Sequence, residues 1–191
     1  MQDLIKFISF FIDLDPKSEE NFIDIASLKK FKKNDILVKN GKRQIDFFII
    51  KSGIVRSYYL HNSDKTYIRN FFIKMNTSGD IGALISNNLA KLDYDCLTDC
   101  EIYVIDFKKF MLLVDENHKF AKLYANLLAK VVILFESKIY DLSVLNATER
   151  YLKLKKEIPS IENHIQQYHI ASYLNITPIQ LSRIRKKIYS K

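Results

Sequence analysis

The chain has 191 residues, of which 48% are hydrophobic and 27% charged, a composition typical of globular proteins and not of disordered ones. Its apolar runs are shorter than the roughly 18 residues that a membrane-spanning helix needs, and its first residues lack a secretory signal. Two cysteines, Cys96 and Cys100, are too few for a disulfide framework or a four-cysteine metal site. We therefore expect a cytoplasmic protein with no bound metal and no membrane partner.

The net charge of +8 is concentrated at the carboxy-terminal end. The segment 147–191 holds nine lysines and arginines against three glutamates, a charge of +6, whereas residues 1–146 carry +2. A basic end on a nearly neutral body indicates a polyanionic partner, and nucleic acid fits better than a membrane. The alternative is compositional drift, since 24 lysines to six arginines is what an AT-rich genome produces.

The spacing of apolar residues changes along the first 106 positions. Residues 4–30 carry apolar residues at helical spacing, which predicts short helices. Between residues 31 and 106, short β-branched and aromatic runs are separated by turn residues, including 40–41, 52–53 and 61–64. This pattern predicts an antiparallel β-barrel or sandwich. The predicted strands are 35–38, 46–51, 54–60, 66–73 and 101–106.

The chain after Asp106 has a helical pattern. A short helix is predicted over 107–114, and Asp115 is placed to cap a second, long helix that extends to Leu145. One face of the long helix has apolar residues at alternating steps of four and three, a heptad pattern typical of coiled coils. We call this set the seam: Ala121, Ala125, Leu128, Val132, Phe135, Ile139 and Leu142.

A second apolar face runs along the same helix from Phe120 to Leu134. A helix that is apolar on two faces must be covered on both. We expect one face to pack on the β-domain and the seam to pair with the same helix of a second copy, giving a homodimer. The alternative is a central helix buried inside one chain.

The segment 167–188 has the spacing of a helix-turn-helix. Ala171 lies in a short apolar helix face, and Asn175 follows four residues later, where a tight turn needs a left-handed residue. Thr177-Pro178 is a strong helix start, because the hydroxyl caps and proline favours the first helical position. The inward face of the second helix is then formed by Leu181, Ile184 and Ile188.

Polar and basic residues lie on the outward side of this second helix or beside it. Gln180 can form a bidentate pair with adenine, and Arg183 can do the same with guanine. The other groups suit phosphates, and His169 is a further candidate phosphate contact. The alternative is a basic amphipathic helix whose charges are solvated. The candidate DNA contacts are Thr177, Gln180, Ser182, Arg183, Arg185, Lys186, Lys187 and His169.

Over roughly residues 20–190 the chain resembles the Crp/Fnr superfamily of bacterial transcription regulators, in particular the lineage common in Bacteroidetes-like organisms. The resemblance is carried by IDFFIIKSGIVRSYY (45–59), IGAL (81–84), CEIYVIDFKKF (100–110), ATERYLKLKKEIP (147–159) and IASYLNITPIQLSRIRKKI (170–188). It implies an α+β chain with a cyclic-nucleotide-binding-like antiparallel β-roll sensor over 1–114, a long dimerisation helix over 115–145 and a winged helix-turn-helix over 146–191. It also implies a homodimer on pseudo-palindromic double-stranded DNA, with RNA polymerase as a candidate further partner.

The positions that the resemblance places in the effector pocket depart from the superfamily's cyclic-nucleotide binders. The expected Gly-Glu pair reads Gly82-Ala83, and the expected downstream arginine is replaced within 90–92. A lysine lacks the planar fork of arginine that pairs with a cyclic phosphate. We therefore expect that cAMP is not a ligand, predict no cofactor and leave the effector open. The candidate pocket residues are Ile81, Gly82, Ala83, Leu84 and Lys91.

Two other classes of function are weighed against a DNA-binding regulator. One is a sensor module of the same fold that signals through protein contacts rather than DNA. The other is an enzyme on a cupin-like barrel, which would need a metal cluster. The histidines at 61, 118, 164 and 169 are scattered, and no nucleophile–base pairing or phosphate loop is present. We therefore predict no catalytic residues.

Overall fold

The computed structural model describes residues 1–60, 66–159 and 161–190. The predicted turn at 61–64 lies outside these residues. The helices are α1 (Gln2–Ser9), α2 (Pro16–Asp24), α3 (Ile81–Ser86), α4 (Phe107–Glu116), α5 (His118–Val144), α6 (Ala147–Glu157), α7 (Ile161–His164), α8 (Gln167–Tyr173) and α9 (Pro178–Tyr189). The strands are β1 (Ala26–Phe31), β2 (Ile36–Val38), β3 (Asp46–Ser52), β4 (Val55–Leu60), β5 (Thr66–Phe72), β6 (Thr77–Ser78), β7 (Asp93–Cys96) and β8 (Cys100–Asp106).

The strands form two antiparallel sheets, with the orders β1-β8-β3-β6 and β2-β7-β4-β5. Ile102 of β8 lies opposite Lys29 of β1 on one side and Ile50 of β3 on the other. Ile50 and Ile102 share a buried cluster with Val55 and Tyr94 of the second sheet. The two sheets therefore enclose one core, and the predicted antiparallel β-roll is confirmed.

Five strands lie where the sequence predicts them, but β1, β7 and the two-residue β6 were missed. Residues 26–30 were assigned to short helices, whereas the structure pairs them with β8 as an edge strand. Four consecutive residues of β1 are exposed, so it lacks the alternating burial that marks a half-buried strand. In β7 all four residues are buried, yet two are aspartates, so the apolar run that predicts an inner strand is missing.

The amino-terminal helices and the start of α5 cover the outer face of the first sheet. Phe22, Phe110, Phe120 and Leu123 are fully buried there in one cluster. The side chain of Asn117 accepts the Lys119 N–H (2.9 Å), so α5 begins at His118. The predicted cap at Asp115 is therefore wrong, because α4 continues through this residue to Glu116.

The chain beyond Asp106 is helical throughout its described part. The side chain of Asn146 accepts the N–H of Glu149 and the Glu149 side chain accepts the N–H of Asn146, which forms a capping box at the start of α6. Helices α6 to α9 are separated by short connections, and no strand occurs among the described residues of 146–190. The predicted wing is thus not found there, since no connection is long enough for a β-hairpin.

The turn between β3 and β4 depends on a glycine. Gly53 has a φ of +89°, a backbone conformation that is strained for residues with a Cβ atom. A Cβ atom at this position would lie 2.4 Å from the Asp99 carbonyl oxygen and 2.5 Å from the Cys100 Sγ. Backbone conformation and close packing therefore both require glycine here.

We expect Gly53→Ala to destabilise the β-roll more than Gly41→Ala, its matched control. Gly41 also has a positive φ (+75°), but a Cβ there meets nothing within 4 Å, so its cost is the backbone strain of about 1–2 kcal/mol. Gly53→Ala adds an overpacking cost of about 1–3 kcal/mol. Urea unfolding followed by circular dichroism measures both, and equal losses for the two variants would contradict the close-packing argument.

Candidate nucleic-acid interface

Helices α8 and α9 are joined by a tight turn that has the predicted conformation. Asn175 has a φ of +56°, the left-handed value expected from its place four residues after Ala171. The N–H of Ile176 donates to the Ala171 carbonyl oxygen (3.0 Å), which closes the turn. The small side chain of Ala171 is fully buried where the two helices meet.

The inward faces of the two helices form the apolar core that the sequence predicts. Ile170, Leu174 and Leu181 are almost completely buried, and they share a cluster with Tyr151 and Leu154 of α6. Ile184 and Ile188 of α9 pack against this cluster while remaining partly exposed. One face of α9 is thereby fixed inward, and the opposite face is directed to solvent.

The first turn of α9 is closed by a capping box. The Thr177 hydroxyl oxygen accepts the Gln180 N–H (3.2 Å), and the Thr177 N–H donates to the Gln180 side-chain carbonyl oxygen (2.9 Å). A bidentate pair with adenine needs that same carbonyl oxygen as an acceptor. The predicted adenine contact of Gln180 therefore requires the cap to open, at a cost of about 0.5–2 kcal/mol.

The outward face of α9 is polar and basic. Ser182, Arg183, Lys186 and Lys187 are exposed, as are Thr177 and Gln180 at the helix start. The sequence of α9 contains no acidic residue. Its outward face therefore presents basic side chains with no acidic residue among them, at the end of the chain that carries most of the excess charge.

Arg185 differs from the other basic residues of α9, because its charge is already paired. Its Nε lies 2.5 Å from a carboxylate oxygen of Glu162, and its side chain is only 29% exposed. The position does not fit the phosphate contact predicted for it. Arg185 instead joins α9 to α7 through its pair with Glu162.

Glu162 is a site residue that the sequence analysis missed. Its two carboxylate oxygens accept hydrogen bonds from the hydroxyls of Tyr151 (2.5 Å) and Tyr189 (2.8 Å), besides pairing with Arg185. Burial raises the pKa of Glu162, but these hydrogen bonds outweigh it and hold the pKa below its usual value. One carboxylate thus links α6, α7 and α9, and no local pattern signals contacts among residues so far apart in sequence.

Helix α8 is attached to the edge strand of the second sheet. The hydroxyl of Ser172 accepts the Ile68 N–H (3.0 Å) and donates to the Thr66 carbonyl oxygen (2.8 Å), so it pairs with β5 as a neighbouring strand would. The rings of Phe71 and Tyr173 pack beside this contact with centroids 4.9 Å apart. The helix-turn-helix is therefore docked on the β-roll of its own chain.

His169 lies inside this docking contact, which corrects its predicted role as a phosphate ligand. It is 7% exposed, and its Nδ1 lies 3.0 Å from Nη1 of Arg56. Arg56 in turn makes a bidentate pair with Asp95, with distances of 2.7 and 2.8 Å. Burial first, and then the Arg56 charge, lower the pKa of His169 to about 4, so the ring is neutral at pH 7.

The second half of α5 leaves its apolar surface uncovered within one chain. Of the seam, Val132, Phe135, Ile139 and Leu142 are 55%, 42%, 65% and 43% exposed, whereas Phe120 at the start of the helix is fully buried against the β-roll. The guanidinium of Arg69 lies 4.7 Å from the ring centroid of Phe135, on its covered side. The alternative of a central helix buried inside one chain is therefore wrong for the described residues.

The candidate effector pocket contains an internal carboxylate. Asp80, 7% exposed, accepts the N–H of Ala83 (3.3 Å) at the start of α3 and the N–H of Lys91 (2.9 Å). Ala83 and Leu84 are buried, whereas Gly82 and Lys91 are exposed. The Asp80 carboxylate is negatively charged and already accepts both of these N–H groups. The residues present therefore do not fit a cyclic phosphate, which would need the same donors and would be repelled by the carboxylate.

The described part of the chain lacks two features, a cluster of metal-ligating side chains and a membrane-spanning helix. No three His, Cys, Asp or Glu side chains there lie together as a metal site would need. No helix in the same residues is both long and apolar enough to cross a membrane. Cys96 and Cys100 are free thiols buried in the β-roll core.

The family model for the cyclic nucleotide-binding domain matches residues 28–117, which span the β-roll from β1 to the cap of α5. No curated protein matches the chain. Among solved structures, a protein from Eubacterium rectale assigned to the Crp/Fnr family of transcriptional regulators has a TM-score of 0.75 at 15% identity, covering 96% of this chain and 88% of that one.

Two further solved structures are similar to the chain over most of their length. FixK2 from Bradyrhizobium japonicum has a TM-score of 0.74 at 18% identity, covering 87% of this chain and 85% of its own. The c-di-GMP-responsive global regulator CLP from Xanthomonas campestris has a TM-score of 0.70 at 15% identity, with 92% of each chain covered. Residues 28–117 thus match the family model of the cyclic nucleotide-binding domain. The whole chain has the Crp/Fnr fold, as the resemblance implies, while the Bacteroidetes lineage stays a prediction.

The environment of His169 predicts a pH dependence of stability. The folded state keeps this ring neutral down to about pH 4, whereas the unfolded chain takes up a proton near pH 6.5. The unfolded state then binds more protons in this range, so the free energy of unfolding falls as the pH falls from 6.5 to 4. The charged groups acting on the ring are Arg56, Asp95 and Lys33.

We expect His169→Gln to reduce the loss of stability between pH 7 and pH 5, because glutamine takes up no proton in this range. Urea unfolding at the two pH values measures the difference. His118→Gln, at an exposed position at the start of α5, is the matched control and should keep the wild-type pH dependence. If the free energy of unfolding of His169→Gln changed with pH as much as that of the wild type, the pH dependence could not be assigned to His169.

Proposed function

We propose that the chain is a sequence-specific DNA-binding transcription regulator that acts as a homodimer. The observation that carries this proposal is the exposed, wholly non-acidic outward face of α9, presented by a capped helix-turn-helix. A recognition helix of this kind enters the major groove with its first turns against the base edges. Arg183 is then placed to pair with guanine, and Ser182, Lys186 and Lys187 to contact phosphates.

The alternative is a sensor module that signals through protein contacts without DNA. In such a module the end of α9 would be expected to carry mixed charges or an apolar docking stripe. Instead Arg183, Lys186 and Lys187 are exposed together on a helix without acidic residues. This charge distribution favours DNA as the partner.

The homodimer is supported by the uncovered seam of α5. Exposed apolar residues at heptad spacing are stable in water only when a partner covers them. A second copy of the same helix supplies the complementary seam, and its two-fold axis would place two α9 helices about one helical turn of DNA apart. A pseudo-palindromic site follows from this symmetry. RNA polymerase contact and a cytoplasmic location stay predictions.

The effector domain is proposed not to bind cAMP. A cyclic phosphate near Ala83 and Lys91 would lie beside the carboxylate of Asp80, which already accepts both backbone N–H groups. Two like charges about 4 Å apart repel by roughly 4 kcal/mol at the effective dielectric constant of a protein surface. An effector that avoids this repulsion is neutral or cationic, or binds elsewhere on the β-roll.

The DNA proposal predicts different losses for two kinds of basic residue. Sites are first selected from random double-stranded DNA with the wild-type protein. Arg183→Ala should then weaken binding by about 1–3 kcal/mol and relax the preference at one base pair. Lys187→Ala should weaken binding to all sequences and lower the salt slope by about one.

Fluorescence anisotropy at several salt concentrations measures both effects. Lys74→Ala, an exposed lysine of the β-roll, is the matched control and should leave affinity and salt slope unchanged. A flat salt response of the wild type would overturn the proposal, as would Arg183→Ala binding like the wild type.

The dimer proposal predicts different effects for two equally exposed isoleucines of α5. Ile139 lies in the seam and is 65% exposed, whereas Ile133 is 63% exposed but lies at the outward b position of the heptad. Ile139→Glu removes two buried isoleucines per dimer, which should cost about 3 kcal/mol or more of the free energy of dimerisation. The dimer dissociation constant should then rise at least about 100-fold.

Ile133→Glu should remain dimeric, and it serves as the matched control. Size-exclusion chromatography with light scattering over a concentration series distinguishes the two species. A monomeric wild type, or a dimeric Ile139→Glu, would show that the seam is not the dimer contact.

A further inference from the structure

One apolar residue stands out on the face of α9 that is proposed to meet DNA. Ile179 is 67% exposed, more than any other large apolar side chain in the described part of 146–190. It is the second residue of α9, directly after Pro178 in the first turn. An isoleucine in this position adds nothing to the apolar core, which Leu181 fills from the other side of the helix.

The neighbours of Ile179 leave few other groups free to read bases from the first turn. Pro178 has no N–H, and Leu181 is fully buried. The side-chain carbonyl of Gln180 is held by the capping box, as described above. The next exposed side chains on the same face are Ser182 and Arg183, one turn further along the helix.

We infer that Ile179 is a specificity residue that recognises the C5-methyl group of a thymine in the major groove. This inference rests on the proposed DNA-binding function. Thymine is the base that presents an apolar group at the major-groove edge, and an apolar side chain contacts it favourably. Against the other bases, isoleucine would cover hydrogen-bonding groups without replacing their water partners, which costs affinity.

The spacing of Ile179 and Arg183 places this thymine near a guanine. Residues four apart lie on one face of a helix and are separated by about 6 Å along its axis. Base pairs rise by about 3.4 Å along the duplex, so the two contacts fall about two base pairs apart when α9 lies along the groove. Each half-site is therefore expected to contain a thymine and a guanine at this separation.

A protein partner with an apolar pocket is the competing explanation of an exposed isoleucine. The surroundings of Ile179 argue against it, because Arg183, Lys186 and Lys187 share the exposed part of the same helix. An apolar pocket covering Ile179 would have to accommodate these charges as well. In the major groove the basic side chains instead reach the phosphates on either side.

The test replaces each thymine of the selected site with deoxyuridine, one position per half-site at a time. Deoxyuridine keeps the hydrogen-bonding edge of thymine and lacks only the methyl group. For the wild-type protein, one thymine position should be sensitive, with binding weakened about fourfold per half-site, as expected when one methyl group loses its buried contact. Ile179→Ala should bind the thymine and deoxyuridine sites equally.

Two control variants distinguish the loss of a thymine contact from a general loss of DNA affinity. Lys187→Ala should bind more weakly yet keep the thymine sensitivity, whereas Ile179→Val should retain part of it. Because Ile179 is exposed, Ile179→Ala is expected to fold normally, and circular dichroism verifies this. A wild type that selects no DNA site overturns the proposed function itself. If the wild type binds a site with no sensitive thymine, or if Ile179→Ala keeps the sensitivity, the thymine inference alone is overturned.

Discussion

Helix α8 buries Ile170 and Ala171 in a core that also contains Ile68 and Phe71 of the β-roll. This shared core fixes the orientation of the whole helix-turn-helix, because α9 packs on α8 through Leu181. With one face of α9 held inward, its basic face has to point to solvent. The proposed reading of DNA therefore depends on apolar packing between two parts of the chain that the sequence analysis assigned to separate domains.

Polar contacts between α8 and the β-roll, at the junction formed by this shared core, fix the position of α8. Ser172 occupies the hydrogen-bonding edge of β5, and His169 lies against the Arg56–Asp95 pair. Such buried polar groups are costly when left without partners, so the docked position is favoured over a slipped one. A displacement of β4 or β5 would have to break these contacts or move α8.

The charged side chains of the chain fall into two groups, those paired with an opposite charge or a backbone group and those left exposed. Arg185 is neutralised by Glu162 inside the helical domain, whereas Arg183, two residues earlier, is left exposed. In the β-roll, Asp80 satisfies the backbone donors of the candidate pocket from within. In the β-roll the carboxylate of Asp80 thus pairs with backbone N–H groups, whereas basic side chains of α9 stay exposed.

Features that depend on residues within one or two turns of each other could be predicted from the sequence. The caps at Asn146 and Thr177, the left-handed Asn175, the apolar faces of α8 and α9 and five of the strands follow from such local patterns. The roles of His169, Ser172 and Glu162 could not be predicted in this way, because their partners are brought together by folding. Arg56 and His169 are 113 positions apart, and Ser172 and Ile68 are 104 apart. Edge strand β1 and acidic strand β7 were missed for the same reason, since pairing across the sheet, and not their own periodicity, makes them strands.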